Sequence, residues 1–273
     1  MITEVVVGRV IVLTSGKGGV GKTSITAGVG VALSHLGRRV VLVDADIGLN
    51  NLDMLLGVEN KIIYDLVDVI DGRCRLKQAI VDVRHNDFLS VLPSSNAFEY
   101  NISIDCFRNV ISRLRDYYDY VLIDCPAGID MGFYRAVIAS DEAIIVTTPH
   151  TSAVRDADKV VSLLATYNKS ILGVIANRMR ADLVMRGDMM SVKQVKQLLR
   201  VPLIGIVPDN DDLVICSQMG NYGELYGEAM NSFRMIAKNI ENDARYLYDY
   251  TAKYRGVKGK IKLLLKGGDD VYR

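Results

Sequence analysis

The sequence predicts an α/β fold, a mostly parallel twisted sheet with helices on both faces, followed by an amphipathic C-terminal segment. Three observations predict it. The short apolar runs are continuous rather than alternating, as strands covered on both faces must be. Segments of helical periodicity separate those runs, and this β-α alternation implies parallel strands joined by right-handed crossovers. A glycine-rich stretch, TSGKGGVGKTS at positions 14–24, lies between the first run and the first helix.

In chain order, the expected strands are 9–14 (RVIVLT), 40–44 (VVLVD), 88–92 (FLSVL), 120–124 (YVLID), 143–148 (AIIVTT), 171–176 (ILGVIA) and 203–207 (LIGIV). Helices are expected near 23–36, 105–117, 153–167, 192–199 and 224–242. No internal repeat or low-complexity tract interrupts them. At 273 residues the chain suits one large domain better than two. The expected division is a domain over 1–246, a linker over 247–256 and a tail over 257–273.

GKGGVGKT fits G-x-x-x-x-G-K-[ST] through Gly16, Gly21, Lys22 and Thr23. Its place between a strand and a helix makes the pattern a phosphate-binding loop and the fold that of a single-domain P-loop NTPase. Gly16, Gly18, Gly19 and Gly21, with Val20 and Ser24, let backbone N–H groups converge on phosphate oxygens. Lys22 is expected at the β- and γ-phosphates of ATP, and the Thr23 hydroxyl on Mg²⁺. Carboxylates follow at strand ends: Asp44 and Asp46 in VDADIGLN, and Asp124 in LIDCPAG. Such ends line the ligand crevice of open α/β sheets. An acid there can hold Mg²⁺ or position the attacking water, or it can cap the next turn; the capping alternative is strongest for Asp44.

Bulk composition excludes little. Apolar residues make up 49% and charged residues 24%, with a net charge of +1, so no global field argues for nucleic acid. Charge is uneven, however. Arg255, Lys258, Lys260, Lys262 and Lys266 lie together with no acid among them; the +1 of the whole less these five leaves −4 elsewhere. In this stretch Val257, Ile261, Leu264 and Leu265 share one helical face. Gly259 weakens such a helix by about 1 kcal/mol relative to Ala, and a helix this short is marginal in water. Folding on contact with an anionic membrane surface is the expected behaviour, with Lys258 and Lys262 facing the head groups. Little aromatic interleaving supports base stacking, and nucleic acid is not expected as a partner. The four cysteines show no CxxC pairing, no signal peptide is evident, and no apolar run reaches the roughly 18 residues of a membrane span. The expected location is the cytoplasm and the inner face of the membrane.

KGGVGKT, with its early Lys17, resembles the deviant Walker A ATPases, the ParA–MinD family. In that family the early lysine crosses to the partner subunit's nucleotide, so the resemblance implies an ATP-dependent homodimer with Lys17 in trans. DADIGLNNLDMLLG, YDLVDVIDG, CRLKQAI, VLIDCPAGID, SAVRDADKV, MRGDMM and LIGIVPDN are similar, in order, to segments of the MinD branch. That resemblance assigns Asp46 to the first switch, Asp124 with Pro126, Ala127 and Gly128 to the second, and Asn51 to the dimer face near the phosphates. Asn177, Pro208 and Asp209 correspond to base-binding positions. The catalytic set is then Lys17, Lys22, Asp46 and Asp124, and the metal set Thr23, Asp46 and Asp124. The basic end resembles the branch's membrane-targeting sequence. The chain departs from the branch at Asn50, where Arg is usual, and at His150, where Glu is usual. The implied function is placement of the division site, with an inhibitor resembling MinC and an activator resembling MinE as partners. DNA segregation of ParA type, flagellar placement and an electron-transfer iron protein using Cys125 and Cys106 are the alternatives.

Overall fold

RVIVLT can be apolar throughout because both of its faces are covered. In β1 (Arg9–Thr14), Val10 and Val12 enter one core cluster while Ile11 and Leu13 enter another on the opposite face, as the period of two in a strand requires. The structure, a computed structural model, describes residues 7–48, 51–95 and 102–255.

The other strands are β2 (Val40–Asp44), β3 (Val81–Asp82), β4 (Leu89–Leu92), β5 (Tyr120–Asp124), β6 (Glu142–Thr147), β7 (Ser170–Met179) and β8 (Leu203–Pro208). They form one sheet in the order β3-β4-β2-β5-β1-β6-β7-β8. Every pairing is parallel except that of β3, a two-residue strand antiparallel to β4 at the edge. All seven expected strands are present; β3 is an addition too short to show a pattern. The chain moves outward from β1 in both directions, which opens a crevice at its C-terminal end.

The five expected helices correspond to α1 (Lys22–Ser34), α5 (Ile104–Leu114), α7 (Thr151–Thr166), α9 (Val192–Leu199) and α11 (Gly227–Asn242). Six more lie between them: α2 (Leu52–Leu56), α3 (Leu66–Ile70), α4 (Leu76–Ala79), α6 (Met131–Ala139), α8 (Ala181–Arg186) and α10 (Asp211–Met219). Most span under two turns, too little for a 3.6-residue period to register. Some carry readable caps instead: Asp65 accepts from Val67 and Asp68 N–H in α3, and Asp130 from Gly132 and Phe133 N–H in α6. α11 begins later than expected because Tyr222–Glu224 forms a separate 3₁₀ turn.

One core layer joins α1, α2 and α11 to the sheet; α3 to α7 and α9 cover the other face. After α11 the chain folds back. Asn239 donates to the carbonyls of Ile204 (2.9 Å) and Tyr246 (2.7 Å) and accepts from the Tyr246 N–H (2.8 Å). Within the stretch expected as a linker, Tyr254 is 2% exposed and Tyr250 packs against the core, while Leu247, Lys253 and Arg255 are exposed. The expected membrane residues Val257, Lys258, Ile261, Lys262, Leu264 and Leu265, and Asn50, lie outside the described residues. Among the described residues, no helix is long and apolar enough to cross a membrane.

α1 approaches α11 closely at Gly28, where a Cβ would lie 2.3 Å from the Phe233 ring. Gly28→Ala is therefore expected to destabilise the domain by about 1–3 kcal/mol through overpacking, measured as a lower urea midpoint with an unchanged slope.

Candidate phosphate-binding site

The loop after β1 is shaped by its glycines. Gly19 and Gly21 adopt φ of +74° and +88°, conformations that side chains disfavour. Gly16 lies under α7, and a Cβ there would come within 2.2 Å of the Asp156 carbonyl oxygen. α1 starts directly after Gly21 and has no side-chain cap. The N–H groups of its first turn therefore face the loop, where the helix dipole favours an anion.

The two lysines of the loop have opposite fates. Lys22 is buried, and its Nζ donates to Ser15 Oγ at 3.1 Å. Ser15 Oγ in turn donates to the Lys17 carbonyl at 2.8 Å, closing the loop on itself. Lys17 is exposed, and its Nζ donates to Ser152 Oγ in the first turn of α7 at 3.0 Å. His150, the exposed residue preceding α7, lies beside that contact in the chain.

Parallel pairing of β2 with β5 sets Asp44 opposite Asp124, both buried. Asp44 accepts from the N–H groups of Asp46 (3.0 Å), Asn51 (3.3 Å) and Leu52 (3.4 Å). It thus holds the turn after β2 and the start of α2, as the capping alternative expects. Burial, with Asp124 as neighbour, pushes its carboxyl well above the usual range. Asp124 accepts from the hydroxyls of Thr23 and Thr26, the latter at 3.1 Å. Burial pushes its carboxyl up to about 6, against the pull of Thr23, Lys22 and Thr26. Asp46, half-buried, is raised by burial and by Asp130, while Lys22 pulls it down. Its carbonyl accepts from Ser94 Oγ at 3.1 Å.

The segment after β5 lies against the loop: a Cβ on Gly18 would be 3.6 Å from the Ala127 methyl. Pro126 is buried, and Gly128 takes φ +92°. On the far side, a cavity of about 270 Å³ is lined by Gly21, Ser24, Asn177, Pro208, Asp209 and Tyr222, among others. Asn177 closes it against the loop, donating to the Val20 carbonyl at 2.8 Å and accepting from the Arg178 N–H at 2.9 Å. A larger cavity of about 650 Å³ lies away from the loop near Arg39, Phe88 and Tyr118, so volume alone does not locate the site.

The structure thus brings Gly16 to Ser24, Asp46, Asp124 and Gly128 to one end of the sheet, with Asn177, Pro208 and Asp209 at the adjoining cavity. Asn51 sits exposed at the start of α2. Sequence reasoning missed Ser15, Thr26, Ser94, Ser152 and Tyr222. Only Thr26 left a signal, a hydroxyl one turn beyond Thr23, flanked by Ile25 and Ala27. The loop fits a nucleotide phosphate: its backbone packs too closely on Asp156 at Gly16 and on Asn177 at Gly21 to admit side chains there, and Lys22 is buried beside it. Hydroxyl and carboxylate oxygens fit Mg²⁺, a hard cation that keeps several waters and phosphate oxygens as ligands. Among the described residues no cluster of three His, Cys, Asp or Glu side chains forms a dedicated metal cage, and Mg²⁺ of this kind does not need one.

Residues 8–174 match the family model described as "AAA domain". The chain is 43% identical over 263 residues to the septum site-determining protein MinD of Bacillus subtilis, covering 93% of this chain and 97% of that one. Among solved structures, the MinC:MinD cell division protein complex of Aquifex aeolicus superposes with a TM-score of 0.82 at 39% identity, covering 89% of this chain and 99% of that one. The septum site-determining protein MinD of Pyrococcus horikoshii, complexed with Mg-ADP, superposes with a TM-score of 0.78 at 30% identity, covering 86% and 96%.

Because the folded carboxyl of Asp124 is raised to about 6, the folded nucleotide-free protein holds that proton more tightly than the unfolded chain. The stability this contributes is present below about pH 4 and is lost as pH rises through about 6. Asp124→Asn is expected to be more stable than the parent at pH 8 by on the order of 2 kcal/mol. The difference should vanish near pH 4, as read from urea unfolding at both values.

Proposed function

The chain belongs to the MinD family of septum site-determining ATPases, and we propose that it is a Mg²⁺-dependent ATPase whose nucleotide-switched homodimer places the division site from the membrane surface. The observation that carries the reading is the closed phosphate loop over Asp124, with a second lysine, Lys17, held outside it.

The residues divide the work by position. The N–H groups of Gly16 to Ser24 bind and orient the phosphates of ATP, and Lys22 offsets their charge from a buried site where its ammonium acts at full strength. Thr23 and Asp124 hold Mg²⁺, which when bound neutralises charge on the phosphates and polarises the transferred group. Asp46 stands beside Lys22 at the first switch, where it orients the attacking water. The adjoining cavity takes the base, with Pro208 and Asp209 on one wall. Asn177 spends two of its polar positions on Val20 and Arg178, so it fixes the loop as well as contacting the base.

Lys17 supplies the coupling. In the single chain it rests on Ser152; in the homodimer it leaves that hydroxyl and reaches the partner's phosphates, where a further cation stabilises the charge that develops on transfer. Hydrolysis then depends on dimerisation. The tail beyond Arg255 joins the same switch: one short amphipathic helix binds a membrane weakly, and two held together bind firmly. A peripheral location follows for the ATP form and a cytoplasmic one for the released chain. The Aquifex MinC:MinD complex supports a division inhibitor resembling MinC as partner, and an activator resembling MinE fits the same cycle. Identity to MinD proteins over nearly the whole chain favours this over DNA segregation or flagellar placement.

Co-sedimentation with anionic liposomes tests the reading. The full chain is expected to bind with ATP and not with ADP, and a chain ending at Tyr254 to bind with neither. Binding indifferent to nucleotide would remove the dimer from the mechanism. A separate assay concerns the second lysine. Lys17→Ala is expected to hold nucleotide within about twofold of the parent while liposome-stimulated ATP hydrolysis falls on the order of a hundredfold.

A further inference from the structure

Thr26 is a polar residue in a helix that otherwise faces the core with Ile25, Ala27 and Val29. It is 0% exposed, one turn beyond Thr23. Its Oγ1 lies 3.0 Å from the Lys22 carbonyl and 3.1 Å from Asp124 Oδ1. A hydroxyl has one proton and serves one acceptor at a time. The Lys22 carbonyl stands four residues back, where the helix supplies it a backbone N–H in any case. The carboxylate is the stronger acceptor. Packing alone would be served as well by valine, so the hydroxyl needs another reason.

We propose that Thr26 is a positioning residue for the Mg²⁺ side of the site: its buried hydroxyl holds the Asp124 carboxylate in the orientation that presents it beside Thr23. The inference rests on the reading of Asp124 as the metal-side carboxylate. Asp124 faces a second buried carboxylate, Asp44, directly across the strands. Asp44 is held by three backbone N–H groups, whereas the side-chain donors to Asp124 are the hydroxyls of Thr23 and Thr26. Thr23 also has the metal to serve. Thr26 does not line the base cavity, meets the loop only at the Lys22 carbonyl, and has Asp124 as its only side-chain partner among the described residues, so it can hold the carboxylate whether or not nucleotide is present.

The test is a Mg²⁺ titration of the full chain, read by the fluorescence of a bound ADP analogue, with binding in EDTA and thermal unfolding measured alongside. Thr26→Val keeps the shape and removes the hydroxyl; Thr26→Ser keeps the hydroxyl; Asp124→Asn is the reference. Thr26→Val is expected to raise half-saturating Mg²⁺ about tenfold, with metal-free nucleotide binding unchanged and Thr26→Ser within about twofold of the parent. If Asp124→Asn raises the Mg²⁺ requirement and Thr26→Val does not, Thr26 only packs the helix and the inference fails alone. If Asp124→Asn leaves the requirement unchanged, the metal reading of Asp124 fails and takes the inference with it. Should Thr26→Val not fold, Thr26→Cys, whose thiol is a poor donor, carries the same two outcomes.

Discussion

Two buried carboxylates, Asp44 and Asp124, face each other in register at the ends of β2 and β5, and much of the surrounding structure answers that placement. Removing a carboxylate from water is costly unless donors replace the lost hydration. Around Asp44 the donors are backbone N–H groups of the turn into α2, so that acid organises the turn after β2. Around Asp124 they are hydroxyls on α1, so that acid is tied to the helix that begins at the phosphate loop. One pair of acids thereby links the helix after the phosphate loop to the ends of β2 and β5 and to the turn into α2.

The same placement explains why the site is poised rather than at rest. Asp124 is raised by burial, and the first turn of α1 presents N–H groups without a side-chain cap. Each feature suits a ligand of opposite charge: a cation for the carboxylate, an anion for the helix end. Gly19 and Gly21, at positive φ, allow the backbone to hold this arrangement without side-chain strain.

The two lysines of one short loop separate by burial. Lys22 points inward and is fixed by Ser15. Lys17, five residues earlier, lies on the surface with Ser152. A buried ammonium is held by its own chain, while an exposed one can exchange its partner. The proposed dimerisation switch draws on this difference between a fixed contact and an exposed one.

Much of this was legible in the sequence. Strands covered on both faces must be apolar at every position, so RVIVLT and its counterparts announced themselves, and the glycine spacing of the loop reflects backbone conformations that only glycine readily adopts. Asp46 and Asp124 could be placed because strand ends are set by those same runs. The helices of four to six residues escaped because they complete too few turns to impose a period. The contacts that give the site its chemistry were beyond reach in the sequence alone. Lys17 meets Ser152 across 135 residues, Thr26 meets Asp124 across 98, and Asn177 meets Val20 across 157. Local conformation follows from neighbouring residues, and a sequence displays those. A distance between side chains far apart in the chain follows from strand order and helix packing, and only the folded sheet sets it.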